Sequence, residues 1–458
     1  MCGIVAAVGK DVTSLVPLVK HRGPDADGVV EKGGVWIGHA RLAILDPDPR
    51  SDQPFRRGDV VLAWNGELWN FREVRAELEA LGERFETAGD TEVVAAALSR
   101  WDEGALPRFE GMFAAAWTTG DGVLRLARDR FGEVPLHVDV PGRTAASERR
   151  VFGRRPAAWV GPGEVVTLSA DAATRRRWWE PEIRWETMEL EPAAVILRNR
   201  VVDAARERAI SDVPVCTLLS GGIDSAAVAW ALKAEIPDLV AFTAVMDPGS
   251  RDVRAARVCA SALGIRLIEV RVPPPSADDL ARVVRQIEMP HKAQVEIGWA
   301  CLHLAARMRA EGFKVTFSGE GSDELWASYG FAYHALAAGA DWRSYRRDLF
   351  LGQHRKNFAR CNKAFLSAGV ECRLPFLNTR LAEFALSLKR GAVERRAGDK
   401  AVMREAFRGV LPRAIVDRPK LAFQDGLGMK AAAAAAVPDP ARFYRAEFAT
   451  RCGEEVVA

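Results

Sequence analysis

The chain has 458 residues, and 64 Lys and Arg against 61 Asp and Glu give a formal net charge of +3. Hydrophobic residues make up 48% and charged residues 27%, a balance typical of globular proteins and unlike disordered or fibrous ones. The charge provides no basic surface for a nucleic acid, and no apolar run reaches the roughly 18 residues that span a bilayer. The N-terminus also lacks the basic leader of a signal peptide, so we expect a cytoplasmic protein of two or more domains.

Short β-rich runs alternate with helical patterns over the first 170 residues. Strands followed by helices and further strands, up to residues 164–166, indicate an α+β sandwich. We place this domain at residues 2–178 and a connector at 179–192. The predicted strands cover residues 35–39, 60–64, 114–117 and 124–127, and the predicted helices cover residues 71–81 and 91–101.

From residue 193 to residue 458 the pattern changes to buried strands alternating with longer helices. This alternation predicts βαβ units, and therefore an α/β domain built on a parallel sheet. The Ala-rich run at 431–436 is predicted to be helical because Ala is the best helix former. The predicted strands cover residues 213–219, 239–245, 267–270 and 315–317, and the predicted helices cover residues 224–234 and 253–263.

The seven cysteines contain no CxxC pair, so most are interpreted as reduced core thiols. Cys2 differs from the others because removal of Met1 would make it the first residue. Its own α-amine, with a reference pKa of about 7.7–8.0, would then serve as a base for the thiol. On this dipeptide alone, a buried structural thiol remains the safer interpretation.

Four motifs that follow Cys2 in the sequence favour the interpretation of Cys2 as a nucleophile. Each has an ordinary explanation alone, such as a turn, an Asn-Gly hairpin connection or a helix cap. In this order they resemble the class II glutamine amidotransferase domain, an N-terminal-nucleophile hydrolase fold. The motifs are His21-Arg22-Gly23-Pro24-Asp25, Arg41-Leu42-Ala43-Ile44-Leu45-Asp46, Asn65-Gly66-Glu67-Leu68-Trp69-Asn70 and Gly89-Asp90-Thr91-Glu92.

The resemblance implies a role for each matching residue. Cys2 would attack the side-chain amide of glutamine and release ammonia, while the Asn65 side chain and the Gly66 N–H would stabilise the oxyanion. Arg41 would pair with the α-carboxylate of glutamine, and Glu67 and Asp90 with its ammonium. Leu42 belongs to the same implied glutamine-binding set.

A second site begins at Ser220-Gly221-Gly222-Ile223-Asp224-Ser225, after a predicted buried strand. A strand, a glycine turn and a helix start place backbone N–H groups toward an anion, and no Walker Lys follows. The hexapeptide resembles the pyrophosphate loop of ATP pyrophosphatases, which cleave ATP to AMP and pyrophosphate. The resemblance implies that ATP is bound by Leu218, Ser220, Gly221, Gly222, Asp224, Ser225, Val245, Ser318 and Gly319.

An acidic loop, Ser318-Gly319-Glu320-Gly321-Ser322-Asp323-Glu324, follows the last predicted strand. Carboxylates combined with phosphate oxygens suit Mg²⁺, and Asp224 and Asp323 are the expected ligands. Glu320 matches a family residue that handles the proton when ammonia attacks. The resemblance also implies that Lys363, Arg373 and Lys420 stabilise the departing pyrophosphate.

Both domains in this order resemble the glutamine-hydrolysing asparagine synthetases, which implies that aspartate is activated as an acyl-adenylate and amidated. The expected partners are therefore glutamine, ATP and aspartate or another carboxylate, with a homodimer left open. Three segments depart from the family pattern: Glu133-Val134, residues 288–294, and Ala327-Ser328 before Tyr329. Because lost glycines change the volume and backbone freedom of a pocket, the acceptor carboxylate stays open.

Three alternatives remain. A relative could amidate a different carboxylate in a specialised biosynthetic pathway. An ATP-dependent cyclase could form an intramolecular amide without glutamine, and a non-catalytic scaffold could keep only the fold. Retention of Cys2, Asn65, Gly66 and Asp90 argues against the cyclase, and retention of Cys2, Asp224, Glu320 and Asp323 argues against the scaffold.

Overall fold

A computed structural model of the chain describes residues 1–396, 398–419 and 423–452. The N-terminal part contains two six-stranded antiparallel sheets, in the orders β10-β8-β9-β1-β3-β2 and β12-β11-β7-β6-β5-β4. The strands are β1 Gly3–Val8, β2 Ala26–Lys32, β3 Val35–Arg41, β4 Phe55–Arg57, β5 Val60–Leu68, β6 Gly111–Thr118, β7 Leu124–Arg128, β8 His137–Asp139, β9 Thr144–Ala146, β10 Ala158–Trp159, β11 Glu164–Leu168 and β12 Ala173–Arg177, and the helices are α1 Phe71–Ala80 and α2 Asp90–Trp101.

The twofold alternation of side chains along β1 and β5 explains the layers of this domain. In β1, Ile4 and Ala6 pack between the two sheets, whereas Val5 and Ala7 pack on the opposite face against Val12 and Val16. In β5, Val61 and Ala63 join the layer between the sheets. Val60, Leu62 and Trp64 face α1 and α2 instead. By the same alternation, Cys2 and Asn65 are directed into the layer between the sheets.

The C-terminal part is built on a five-stranded parallel sheet in the order β15-β14-β13-β16-β17. The chain runs outward from β13 to β15 and then returns to the other side of β13. Such a reversal leaves a crevice at the carboxyl ends of β13 and β16, where α/β sheets bind ligands. The strands are β13 Val215–Leu218, β14 Val240–Val245, β15 Arg266–Arg271, β16 Val315–Phe317 and β17 Glu371–Arg373.

Helices surround this sheet, and the first of them starts three residues before the predicted boundary at 193. They are α3 Leu190–Arg208, α4 Ile223–Glu235, α5 Arg251–Leu263, α6 Ala277–Ile287, α7 Lys292–Ala310, α8 Ser322–Leu325, α9 Gly330–Ala337, α10 Trp342–Leu351, α11 Asn357–Leu366, α12 Thr379–Ser387, α13 Arg390–Val393, α14 Ala401–Phe407, α15 Arg413–Val416, α16 Phe423–Leu427, α17 Met429–Ala436 and α18 Pro440–Cys452.

The predicted fold class, an α+β sandwich followed by an α/β domain on a parallel sheet, is confirmed. The alternative explanation of Asn65-Gly66 as a hairpin turn is wrong, because both residues lie inside β5. Glycine is required at position 66 for a different reason. A Cβ there would lie 2.1 Å from the Met112 carbonyl oxygen on the neighbouring strand β6.

Candidate active sites

The first site is a small cavity of about 20 Å³ between the two antiparallel sheets. It forms where the start of β1, the end of β3, the middle of β5 and the first turn of α2 meet. Six of the predicted glutamine-site residues line it: Cys2, Arg41, Leu42, Gly66, Glu67 and Asp90.

Cys2 is buried, with 5% of its surface exposed. Its Sγ lies 3.4 Å from the Leu42 backbone N–H, which donates toward it, and burial raises the pKa of the thiol. The Asn65 side-chain oxygen accepts from the Cys2 backbone N–H at 2.6 Å, and its Nδ2 donates to Ser147 at 3.4 Å. Asn65 therefore touches the nitrogen that becomes the α-amine of Cys2 once Met1 is removed.

Met1 is buried and also lines this cavity. Its ammonium lies 2.7 Å from the Glu371 carboxylate, and neither group is exposed. Burial opposes ionisation of Glu371, but this ammonium and the Arg373 guanidinium bring the pKa of the carboxyl below its ordinary value. With Met1 in place, the Cys2 nitrogen is a peptide amide, which cannot act as a base.

Asp90 and Glu67 are the buried acids of this site. The Asp90 carboxylate accepts from the Leu68 N–H at 2.9 Å and from the Trp64 indole at 3.0 Å, while burial raises its pKa to about 6. Burial and the nearby Glu371 raise the pKa of Glu67 well above its ordinary value. The carboxyl groups of Asp90 and Glu67 can therefore each ionise and form an ion pair when a cation binds in the cavity.

Arg41 reaches the rim of the cavity, but its guanidinium is already engaged. It donates to the Asp52 carboxylate at 2.7 Å and to the carbonyl oxygens of Asp48 and Leu45 at 3.0 and 3.4 Å. A glutamine carboxylate would have to share or replace the Asp52 contact.

The second site is a cavity of about 640 Å³ at the carboxyl ends of β13 and β16. The close approach of its two loops requires a small residue, because a Cβ at Gly319 would lie 2.8 Å from the Asp224 carbonyl carbon. The predicted residues that line this cavity are Leu218, Ser220, Gly222, Asp224, Ser225, Ser318, Gly319, Glu320 and Asp323.

Lys400 joins the two predicted magnesium ligands. Its Nζ lies 2.6 Å from Asp224 Oδ2 and also contacts Asp323 Oδ1. Although burial opposes the charge, these two carboxylates raise the pKa of Lys400 above its ordinary value. Its backbone is left-handed, with φ of 49°, and such strain in a non-glycine residue concentrates at functional sites.

Two further carboxyl groups line the same cavity. Glu320 Oε2 accepts from Arg360 Nη2 at 2.6 Å; burial alone would lower the pKa of Arg360, but Glu320 raises it. Glu324 Oε1 accepts from Tyr329 and Asn357 at 2.5 Å each. Burial and the neighbouring Glu320 raise the pKa of Glu324 to about 7.

The structure does not bring all predicted pyrophosphate residues to this cavity. Lys363 is enclosed by Glu148 and Glu288, and Arg373 is paired with Glu371 and lies near Glu67, so both face the amidotransferase domain. Buried carboxylates hold both cations there and leave neither for a phosphate. Val245 and Gly221 do not line the cavity, although the Gly221 carbonyl oxygen accepts from Arg418, which does. Lys420 lies outside the described residues.

Sequence reasoning missed several residues that line the cavity. Lys400 and Arg404 carry cationic charge into it, and Asn357 and Tyr329 position Glu324. No spacing pattern marks Lys400, because it reaches the acidic loops only through the tertiary fold. The sequence analysis assigns Arg360 no role, and its contact with Glu320 is what indicates one.

Asp224 and Asp323 lie close enough to share one ammonium, so their carboxylates fit a magnesium ion that also binds ATP phosphates. Within the described residues, no three His, Cys, Asp or Glu side chains are grouped to hold a metal ion by themselves. Among those residues there is also no helix of sufficient length and apolarity to cross a membrane.

Comparisons with known proteins match both parts of the chain. The family described as "Glutamine amidotransferase domain" matches residues 1–179, and the family described as "Asparagine synthase" matches residues 197–360 and 353–441. The chain is 29% identical to an asparagine synthetase [glutamine-hydrolyzing] of Asparagus officinalis, over 93% of this chain and 78% of that protein. It is 30% identical to asparagine synthetase B [glutamine-hydrolyzing] of Escherichia coli, over 92% of this chain and 79% of that protein.

A further relative, asparagine synthetase [glutamine-hydrolyzing] 2 of Oryza sativa, is 30% identical over 93% of this chain and 78% of its own length. The similarity thus covers both cavities and the segment that joins them. The chain belongs to the glutamine-hydrolysing asparagine synthetase family of ligases.

Proposed function

We propose that the protein uses glutamine and ATP to amidate aspartate, giving asparagine, glutamate, AMP and pyrophosphate. The observation that carries this proposal is the presence of two separate cavities in one chain. One contains a cysteine beside buried acids, and the other contains a glycine loop beside paired carboxylates. The names of the relatives support aspartate as the acceptor.

The glutamine half-reaction follows from the first cavity. After removal of Met1, the α-amine of Cys2 takes the thiol proton and Sγ attacks the amide carbon of glutamine. The tetrahedral oxyanion is stabilised by Asn65 and Gly66, and its collapse forms a thioester and releases ammonia. Water then hydrolyses the thioester to glutamate and frees Cys2.

The synthetase half-reaction takes place in the second cavity. The acceptor carboxylate attacks the α-phosphorus of ATP and pyrophosphate leaves, while Lys400 and Arg418 stabilise the phosphate charge. Magnesium, held by Asp224 and Asp323, would neutralise phosphate charge when bound with ATP. Ammonia then travels inside the protein, attacks the acyl carbon and displaces AMP, and Glu320 takes the proton that the nitrogen loses.

This function assigns residues 2–178 to glutamine hydrolysis, 179–192 to the connector and 193–458 to synthesis. The buried free thiols suit the cytoplasm, where we place the protein as a monomer or a homodimer.

A second acceptor class is favoured by one feature of the cavity. Apolar side chains line part of the wall, among them Ile297, Leu304 and Leu349. Phe331 is 58% exposed and stacks on Tyr329, with ring centroids 5.1 Å apart. Aspartate carries two further charged groups that need counter-charges, whereas a carboxylate with an apolar body would suit this wall.

Exchange of labelled pyrophosphate into ATP, measured across a panel of carboxylic acids, tests the acceptor. The proposal expects exchange with aspartate, and mass detection of asparagine when glutamine is added. Exchange with an apolar carboxylic acid and none with aspartate would show that the acceptor is an apolar carboxylate and not aspartate. No exchange with any acid, together with no glutamate release from glutamine, would refute the whole function.

A further inference from the structure

Two free thiols form part of the wall of the synthetase cavity, and the proposed function uses neither of them. Cys361 belongs to α11 and Cys301 belongs to α7. Their exposed fractions are only 3% and 6%, so a small reagent reaches them from the cavity. A third thiol, Cys372 in β17, neighbours Cys361 but is not part of the cavity wall.

Cys361 contacts a carboxylate and a guanidinium at once. Its thiol donates toward Glu320 Oε2 at 3.8 Å, and Arg360 Nη2 donates toward its Sγ at 3.5 Å. The same guanidinium nitrogen donates to the same Glu320 oxygen at 2.6 Å, so the three groups form a closed triangle. The carboxylate can accept the thiol proton, and the guanidinium favours the thiolate, which is the reactive form of cysteine.

Arg360 is held in place by contacts that do not involve the thiol. Its Nη1 donates to Gln294 Oε1 at 2.8 Å and to Asn357 Oδ1 at 3.3 Å. The side chain is 1% exposed, so solvent does not screen its charge. The guanidinium therefore stays beside the Cys361 sulfur.

The remaining core thiols lack this environment. Burial raises the pKa of four of them to about 12: Cys216, Cys259, Cys301 and Cys452. Burial, together with the neighbouring Cys361 side chain, raises the pKa of Cys372 well above its ordinary value. These five thiols stay protonated and are weak nucleophiles, which leaves Cys361 as the core thiol with contacts that favour reaction.

We propose that Cys361 is a modification site for small hydroperoxides, which oxidise its thiol to a sulfenic acid. The Sγ attacks one peroxide oxygen, and the S–O bond forms as the O–O bond breaks. The thiol proton passes by way of Glu320 to the leaving oxygen, which departs as water from hydrogen peroxide or as an alcohol from an organic hydroperoxide. The sulfur is oxidised by two electrons and the peroxide is reduced by two.

The sulfenic acid is expected to persist instead of forming a disulfide. Its neighbours Cys301 and Cys372 are protonated, and a thiol attacks another sulfur slowly when little of it is thiolate. The added oxygen lies beside Arg360 and competes with Glu320 for the guanidinium. The modification itself follows from the contacts of Cys361, whereas its effect on amide synthesis rests on the proposed role of Glu320.

The site is tested by exposing the full chain to hydrogen peroxide with dimedone, a reagent that traps sulfenic acids, and by mapping the adducts with mass spectrometry. Cys361 should carry at least about fivefold more adduct than any other core thiol. Cys2, the proposed nucleophile, is scored separately. Cys259→Ser removes a core thiol that does not line the cavity, so it is the matched control and should keep the Cys361 adduct.

The effect on synthesis is measured as AMP formation from free ammonia, which does not depend on Cys2. Each variant is compared with its own rate without peroxide, and circular dichroism checks its fold. Peroxide should lower the rate by roughly fivefold or more in the wild type and in Cys259→Ser, and a thiol reductant should restore it. Cys361→Ser should keep its rate. If Cys361→Ser does not fold, Cys361→Ala takes its place, and the adduct map of the wild type needs neither variant.

Three results would overturn the inference. An adduct spread evenly over the core thiols would refute Cys361 as the site. A disulfide from Cys361 to Cys301 or Cys372 in place of the adduct would refute the persistent sulfenic acid, and an equal loss of rate in Cys361→Ser would refute the effect on synthesis. A wild type that forms no AMP with any acid refutes the proposed function, and the adduct map then decides the modification by itself.

Discussion

The amidotransferase site and the synthetase cavity hold their charged groups in different ways. In the first, Asp90 and Glu67 are buried in a space of about 20 Å³ and have raised pKa values. In the second, a cavity of about 640 Å³, the acids Asp224, Asp323 and Glu320 are each paired with Lys400 or Arg360.

The difference fits the ligands that the proposed function assigns to each site. On the proposed function, glutamine brings an ammonium that can balance Asp90 and can add to the cation near Glu67, Arg373, which lies 3.6 Å away and is shared with Glu371. A triphosphate brings several negative charges, and acidic loops can approach it only when cations accompany them. The predictions below test this contrast, from the largest expected effect to the smallest.

Lys400→Met should cause the largest loss in the synthetase cavity. This substitution removes a cation that contacts Asp224 and Asp323 and that the proposed function uses to stabilise the phosphate charge, so ATP-dependent AMP formation should fall by roughly 10²–10³-fold. Glutamate release measured without ATP should stay at the wild-type rate. Lys389→Met, which removes a half-exposed ammonium, is the control and should leave both rates unchanged. Normal AMP formation in Lys400→Met would show that the contacts of Lys400 with Asp224 and Asp323 are not needed for the reaction.

Asn65→Ala should affect only the amidotransferase site. Its amide touches the Cys2 nitrogen at 2.6 Å, so loss of the side chain removes a contact beside the forming oxyanion. We expect kcat for glutamate release to fall by about 10²-fold, with AMP formation from ammonia retained. Asn70→Ala, at the end of the same motif, is the matched control. Equal losses in both variants would exclude a specific role for Asn65.

The pH dependence of glutamine binding should report the ionisation of the buried Asp90 carboxyl group. Because burial raises the pKa of Asp90 to about 6, its carboxyl is neutral below that pH and cannot pair with an ammonium. The KM for glutamine should therefore rise by up to about tenfold for each pH unit below that value. The Asp90→Asn variant should have a high KM for glutamine, and this KM should not rise further as the pH is lowered. A KM that stays constant in the wild type would argue against Asp90 as the ammonium partner.

Lys314→Met should have the smallest effect. Its ion pair with Asp25 crosses the interface, but the side chains are 22% and 26% exposed, so solvent screens the interaction. We expect the free energy of unfolding, from urea titration, to fall by at most about 1 kcal/mol. A much larger loss would mean that the outer contacts, rather than the buried network around Lys363, hold the domains together.

The residues of the first site were assigned from the sequence through the family resemblance, and strand alternation explains why two of them lie together. Strand alternation alone directs Cys2 and Asn65 into one layer, because Ile4 and Ala6 follow Cys2 at even spacing and Val61 and Ala63 precede Asn65 in the same way. The remaining residues lie at the ends of the neighbouring strand and helix. The predicted residues that line this cavity come from one sheet sandwich, whereas Glu371 and Arg373, which contact Met1 and Glu67 from the other domain, have no local pattern that places them there.

The cations of the second site could not be predicted in the same way. Lys363 and Arg373 follow the family motif, yet Glu148, Glu288, Glu371 and Glu67 surround them at the domain interface. Lys400 has no motif and enters the cavity from a distant helix start. A cation is placed by whichever carboxylates the tertiary fold brings to it, and the local sequence does not contain that information.

The most direct test of the division of labour is Cys2→Ala, assayed in parallel with glutamine and with ammonia. The account predicts that glutamate release is abolished, while AMP and amide formation from ammonia continue at the wild-type rate. Loss of both activities in a folded protein would contradict the assignment of separate chemistry to the two cavities. Retained glutamate release would contradict the assignment of Cys2 as the nucleophile.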